Sequence, residues 1–175
     1  MDMHAVLQAP ESVDSLDGVA ERVADTVDSV LGDGALARAL RGSWLGHPTH
    51  PLLVTLPIGA WMSSAVLDVV FKDRDAARQL IAIGLAATPP AVLAGWAEFP
   101  TLGRRQRRVG IVHATSNALA AASFWMAYRQ YKRGKIGAAR TFSALGLTAV
   151  SVGGALGGHL SYAQGAGVHR WQLTA

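Results

Sequence analysis

The sequence predicts an all-α fold: a four-helix transmembrane bundle preceded by an N-terminal amphipathic helix. Four apolar stretches, at residues 52–71, 80–97, 109–128 and 141–163, carry Asp68 as their one formal charge. Each is close to the roughly 20 residues that a helix needs to cross about 30 Å of hydrocarbon. Core helices of soluble proteins keep one polar face, whereas in lipid a helix satisfies its own backbone and needs none. Charge is also segregated. Residues 1–43 hold eight acidic groups against Arg22, Arg38 and Arg41, while residues 44–175 hold thirteen basic groups against four acidic ones. The chain therefore divides into an acidic segment, 1–43, and a membrane domain, 44–175.

In the acidic segment, Leu16, Val19, Val23, Val27, Val30 and Leu31 recur at steps of three and four, with Asp17, Glu21, Asp25 and Asp28 mostly on other faces. This predicts an amphipathic helix from Ser15, its N-cap, to Gly32, followed by a short helix at 35–40. Faces that seek lipid are rich in Lys and Arg, and this one is acidic. It is expected to pack on the bundle or on a second copy of the chain, which leaves a homo-oligomer open.

The first span opens with Pro51 and contains Pro57, and the second contains Pro89 and Pro90, so a kink or local unwinding is expected in each. The third opens after Arg104, Arg105, Arg107 and Arg108. That cluster lies between apolar stretches, where the lipid bilayer supplies its partners and nucleic acid is not expected. The fourth carries Gly153, Gly154, Gly157 and Gly158, two overlapping GxxxG patterns. These admit a close neighbouring helix or a flat cofactor, and leucine at any of them is expected to disrupt. Trp44, Trp96, Tyr162 and Trp171 at one level, with Trp125, Tyr128 and Tyr131 at the other, form two aromatic belts. No apolar leader follows Met1, and an acidic segment is more simply left behind than exported. The expected location is the inner (cytoplasmic) membrane with both termini in the cytoplasm, although Lys and Arg counts on the two sides nearly balance.

Up-and-down connectivity brings the start of spans one and three and the end of spans two and four to the same side. His47 and His50 precede span one, Glu98 closes span two, His113 lies four residues into span three, and His159 lies four from the end of span four. Each histidine alone reads as a packed side chain. Four imidazoles and a carboxylate at one depth read as a binding site, because polar groups within a membrane are costly and tend to mark function. Asn117, one turn beyond His113, is placed to orient it. With no cysteine, the chain has no disulfide, no iron-sulfur cluster and no thiolate zinc site of its own. No nucleophile motif, phosphate-binding loop or paired carboxylate points to hydrolysis or phosphoryl transfer. Transport is disfavoured by the lack of an evident buried charge pair.

The elements Trp44-Leu45-Gly46-His47-Pro48-Thr49-His50-Pro51, Leu56-Pro57-Ile58-Gly59, Val112-His113-Ala114 with Asn117, and Gly157-Gly158-His159-Leu160-Ser161-Tyr162 together resemble a bacterial family of predicted four-helix membrane proteins. Some members of that family are joined to a Rieske-type iron-sulfur domain, and the layout is similar to that of membrane b-type cytochromes. The position of Glu98 is more often Asp there. Lacking the cysteine ligands itself, this chain is implied to meet a separate Rieske-type iron-sulfur protein. The expected centre is a b-type haem between His113 and His159, with Asn117 beside His113, Gly154 and Gly158 making room for the ring, and Arg104 to Arg108 near its propionates. The alternatives are a non-haem iron, copper or zinc ion on His47, His50, His113, His159 and Glu98, and a cofactor-free anchor or scaffold.

Overall fold

The computed structural model describes residues 2–168, and among these there is no strand. The helices are α1 (Met3–Gln8), α2 (Asp17–Leu31), α3 (Ala35–Arg41), α4 (His50–Leu53), α5 (Thr55–Val69), α6 (Arg74–Glu98), α7 (Arg104–Lys132) and α8 (Ile136–Gly158). Helix α8 continues into a π-helical turn, His159–Ala163. Arg170 and Trp171, which entered the charge and aromatic patterns above, lie outside the described residues.

Local chemistry accounts for the boundaries. Pro57 lacks the N–H that would bond the Leu53 carbonyl, and the first span breaks there, into α4 and α5. Pro89 and Pro90, by contrast, sit inside an uninterrupted α6. Helix α2 begins one residue later than the sequence implied, at Asp17 after a 3₁₀ turn, with Leu16 at the N-cap position and no side-chain cap, so Ser15 is not its cap. It ends at Gly32 as expected, in a positive-φ conformation that favours glycine.

Among the described residues, three helices are long and apolar enough to cross a membrane: His50–Val69, Arg74–Thr101 and Ile136–Ala163. The remaining expected span, 109–128 in α7, is not among these three. That helix has 29 residues, but His113, Thr115, Ser116 and Asn117 interrupt its apolar run and four arginines crowd its first turn.

The chain divides into two compact units. The second comprises 51–91 and 116–152. Its core is Trp61 stacked on Phe124, ring centroids 4.3 Å apart and planes 12° from parallel, surrounded by Ile81, Ala120, Ala127 and Val150. Each ring is backed by a glycine. A Cβ at Gly84 would stand 2.4 Å from Trp61 Nε1, and one at Gly146 would stand 2.7 Å from Phe124 Cε2. The absent side chains are what let rings of this size enter the contact.

The same unit holds a buried ion pair. Asp68 is 2% exposed and accepts from Arg140 Nε at 2.6 Å, and the Tyr131 hydroxyl donates to the same carboxylate. Lys72, four residues from Asp68 in sequence, donates to the Val69 carbonyl. Tyr131 is thus a buried core residue and leaves the proposed aromatic belt, whereas Trp125 is 52% exposed.

The first unit comprises 1–50, 92–115 and 153–175. There Ala20 and Ala24 of α2 pack on Phe99, with Trp96, Leu102 and Ile111 around them. Val109, Leu156 and Leu160 form a second cluster with Leu7. The amphipathic helix therefore packs on its own chain, through its small apolar residues.

Substituting a ring-facing glycine should overpack the core. Gly84→Leu and Gly146→Leu are each expected to cost about 3 kcal/mol or more. Thermal unfolding in detergent should show a clearly lowered Tm for both, with Gly59→Leu, which meets open space, close to wild type.

Candidate functional site

The first unit contains His47, His50, Glu98, His113 and His159 together, but it sorts them into separate sets. His50 and His113 meet edge to face, with ring centroids 5.9 Å apart and planes at 78°. Here too glycines back the rings. A Cβ at Gly95 would stand 2.9 Å from His50 Nδ1, and one at Gly157 would stand 3.0 Å from His113 Cε1. His113 Nδ1 donates to the Gly153 carbonyl at 2.8 Å, which fixes the tautomer and leaves the lone pair on Nε2.

The positions form a pattern. From His50 to Trp61, Gly84 to Gly95, His113 to Phe124 and Gly146 to Gly157 is eleven residues in every case, three turns of helix. Two rings between two glycines thus occur once with imidazoles and once with indole and phenyl.

His159 belongs to the second set. It is buried and its Nε2 donates to Glu11 Oε1 at 2.7 Å, while His4 lies edge-on at 6.5 Å. This hydrogen bond is the largest influence on the Glu11 carboxyl and helps hold its pKa below the ordinary value. His47 is exposed and its Nδ1 donates to the Pro48 carbonyl at 3.1 Å. The loop around it is fixed by Gly42, where a Cβ would fall 2.0 Å from the His47 carbonyl oxygen and φ is +83°. Glu98 is buried at the end of α6. Among the described residues, no three of His, Cys, Asp and Glu come together closely enough to hold a metal ion.

Asn117 is half-buried on α7 and belongs to the other unit. Gly154 and Gly158 meet nothing within 4 Å of a built Cβ. The expectation that leucine would disrupt at every position of the GxxxG pair is therefore narrowed: the glycine that seats a ring is Gly157.

Two of the arginines before span three, Arg104 and Arg108, are engaged by the acidic segment. Arg108 is buried; its Nε donates to Asp17 Oδ1 at 2.6 Å, and its other nitrogens reach Asp14 and the Glu11 carbonyl. Arg104 Nη2 lies 2.6 Å from Asp17 Oδ2. These guanidinium groups, Arg108 foremost, hold the Asp17 carboxyl down at about 2. Arg41 is likewise buried, donating from Nε to the Ala97 carbonyl at 2.8 Å and from Nη1 to Asp33. Glu11, Asp14 and Asp17 were not singled out as site residues from the sequence, where the signal was only the acidity of the segment beside four clustered arginines.

An all-helical chain with three helices apolar enough to span a bilayer and a folded polar segment at its N-terminus defines a multi-pass membrane protein. The family of predicted membrane proteins DUF2231 matches residues 46–170, and the chain belongs to it. The match begins at Gly46, so the acidic segment lies outside the family's shared portion. No curated protein and no solved structure matches the chain.

Because Asp17 is depressed, its contribution to docking is present above the ordinary carboxylate range and is lost as pH falls towards about 2. Limited proteolysis within residues 2–31 should therefore be equally slow at pH 8 and pH 5. It should be several-fold faster at either pH in Arg108→Gln, which leaves a buried acid without its main partner.

Proposed function

We propose that the protein is a four-span protein of the cytoplasmic membrane, both termini cytoplasmic, that holds a metal centre on His50 and His113 for electron transfer to a peripheral iron-sulfur protein. Helix α7, with 29 residues, is long enough to be the fourth span. Its polar residues mark the site instead of disqualifying the helix.

The observation that carries the reading is the imidazole pair. A metal held by two imidazoles, with metal–nitrogen bonds of about 2.0–2.1 Å, would need two histidine rings close together. His50 and His113 stand at 5.9 Å, on different helices, each seated on a glycine. The Gly153 carbonyl gives His113 the outer hydrogen bond that ligating histidines ordinarily have. A haem between His113 and His159 fits less well, because the His159 Nε2 donates to Glu11. A haem iron or a single copper, iron or zinc ion each suits two imidazoles. A redox-active one would supply one-electron chemistry there, with His50 and His113 holding it.

A cofactor-free anchor is the second reading. It is favoured by the eleven-residue recurrence, since the Trp61–Phe124 pair occupies matching positions and only packs.

The test is an absorption spectrum of detergent-purified protein, oxidised and dithionite-reduced, with metal analysis on the same sample. A b-type haem predicts a Soret band and a sharp α-band on reduction. Both should be lost in His50→Ala and His113→Ala and retained in His159→Ala. A colourless protein with about one metal per chain, lost in the same two variants, moves the site to a non-haem ion. Metal-free, haem-free protein from cells supplied with both leaves the anchor.

A further inference from the structure

The start of α7 and the first turns of α2 border an open cavity of about 210 Å³, lined by Asp17, Ala20, Glu21, Leu102, Arg104 and Arg107. Its charges are not equally committed. Asp17 is shared between Arg104 and Arg108 and is already neutralised. Arg107 is anchored through Nη2 to the Pro100 carbonyl at 2.6 Å, and its Nε is buried without an acceptor. Among the described residues that guanidinium meets a carbonyl but no carboxylate, unlike Arg104 and Arg108, so its charge is the one left for an incoming anion. Glu21 is exposed at the rim and opposes that anion. Ala20 and Leu102 give the cavity an apolar side, and Val109, where the apolar run of α7 begins, follows Arg107 by two residues. In a membrane-spanning helix that places Arg107 at the level of lipid headgroups.

We propose that this cavity is a phosphate-binding site, with Arg107 as the principal ligand, Arg104 at its edge and Glu21 as the group that limits affinity. The shared chemistry is a phosphate oxygen accepting from guanidinium, supplied by a phospholipid headgroup or by free phosphate. The site is independent of the histidine pair and stands whether or not a metal binds there.

The experiment titrates the full chain, purified in a maltoside detergent, with inorganic phosphate and separately with dihexanoyl-phosphatidylglycerol, by calorimetry at low salt. Saturable binding of at least one probe is expected. It should weaken about tenfold in Arg107→Gln, which removes a charge-assisted hydrogen bond. It should tighten about two- to threefold in Glu21→Gln, which removes a nearby like charge. Arg105→Gln, outside the cavity, should leave it unchanged. Binding of the lipid alone identifies a headgroup site, and binding of both probes identifies a site for phosphate as such. The Glu21 variant keeps the test decisive if the Arg107 variant is unstable, since misfolding does not tighten binding. No saturable binding of either probe, equal losses in Arg105→Gln and Arg107→Gln, or no tightening in Glu21→Gln would overturn the assignment.

Discussion

Helices that are apolar on every side have little to tell them which way to turn towards one another. Inside lipid the hydrophobic effect does not choose a face, so the choice falls to shape. In this protein shape is set by rings entering the gaps left by missing side chains. Trp61 and Phe124 lie against Gly84 and Gly146, and His50 and His113 lie against Gly95 and Gly157. Each contact fixes the rotation of two helices at once, because a ring can meet a glycine only when both point inward. The packing has a visible cost: the Trp61 Nε1 faces Gly84 and has no acceptor. The tight fit of the ring outweighs one unmet donor.

Around that packing, charge is handled in two ways. In the second unit, Asp68 is buried and bonded by Arg140 and the Tyr131 hydroxyl, a local solution among residues that are all drawn from apolar stretches or their edges. In the first unit the acidic segment supplies Asp14 and Asp17 to Arg108, so cations that would otherwise face headgroups are buried in protein. Removing either member of such a buried pair costs more than the pair contributes, because the survivor is left charged and dry. The two arrangements together account for most of the buried charge in the described residues.

Much of the fold was legible in the sequence because length and lack of charge are one-dimensional signals. The helices follow from them, the break at Pro57 and the end of α2 at Gly32 follow from single residues, and the packing of α2 on its own chain was one of two outcomes left open. The membership of His47, His50, Glu98, His113 and His159 in one unit follows from connectivity. What stayed hidden was azimuth. An apolar helix shows no preferred face, so nothing said that His113 would meet His50 or that His159 would turn to Glu11. Asp68 and Arg140 are 72 residues apart, and the reading that found no buried charge pair missed them for that reason. One signal was available and unread: the eleven-residue offset that carries each ring and glycine of one set onto the other.

The docking of the acidic segment also has a timetable. Asp17 finds Arg108 across 91 residues of sequence, and Arg41 finds the Ala97 carbonyl across 56. At synthesis rates of about 5–20 residues per second, α2 waits on the order of 5 to 20 s for its partner to be made. Over that interval two apolar spans must enter the bilayer while the segment ahead of them has nothing to fold onto. A string of acidic side chains suits that wait. It keeps the segment solvated until the same charges meet Arg104 and Arg108.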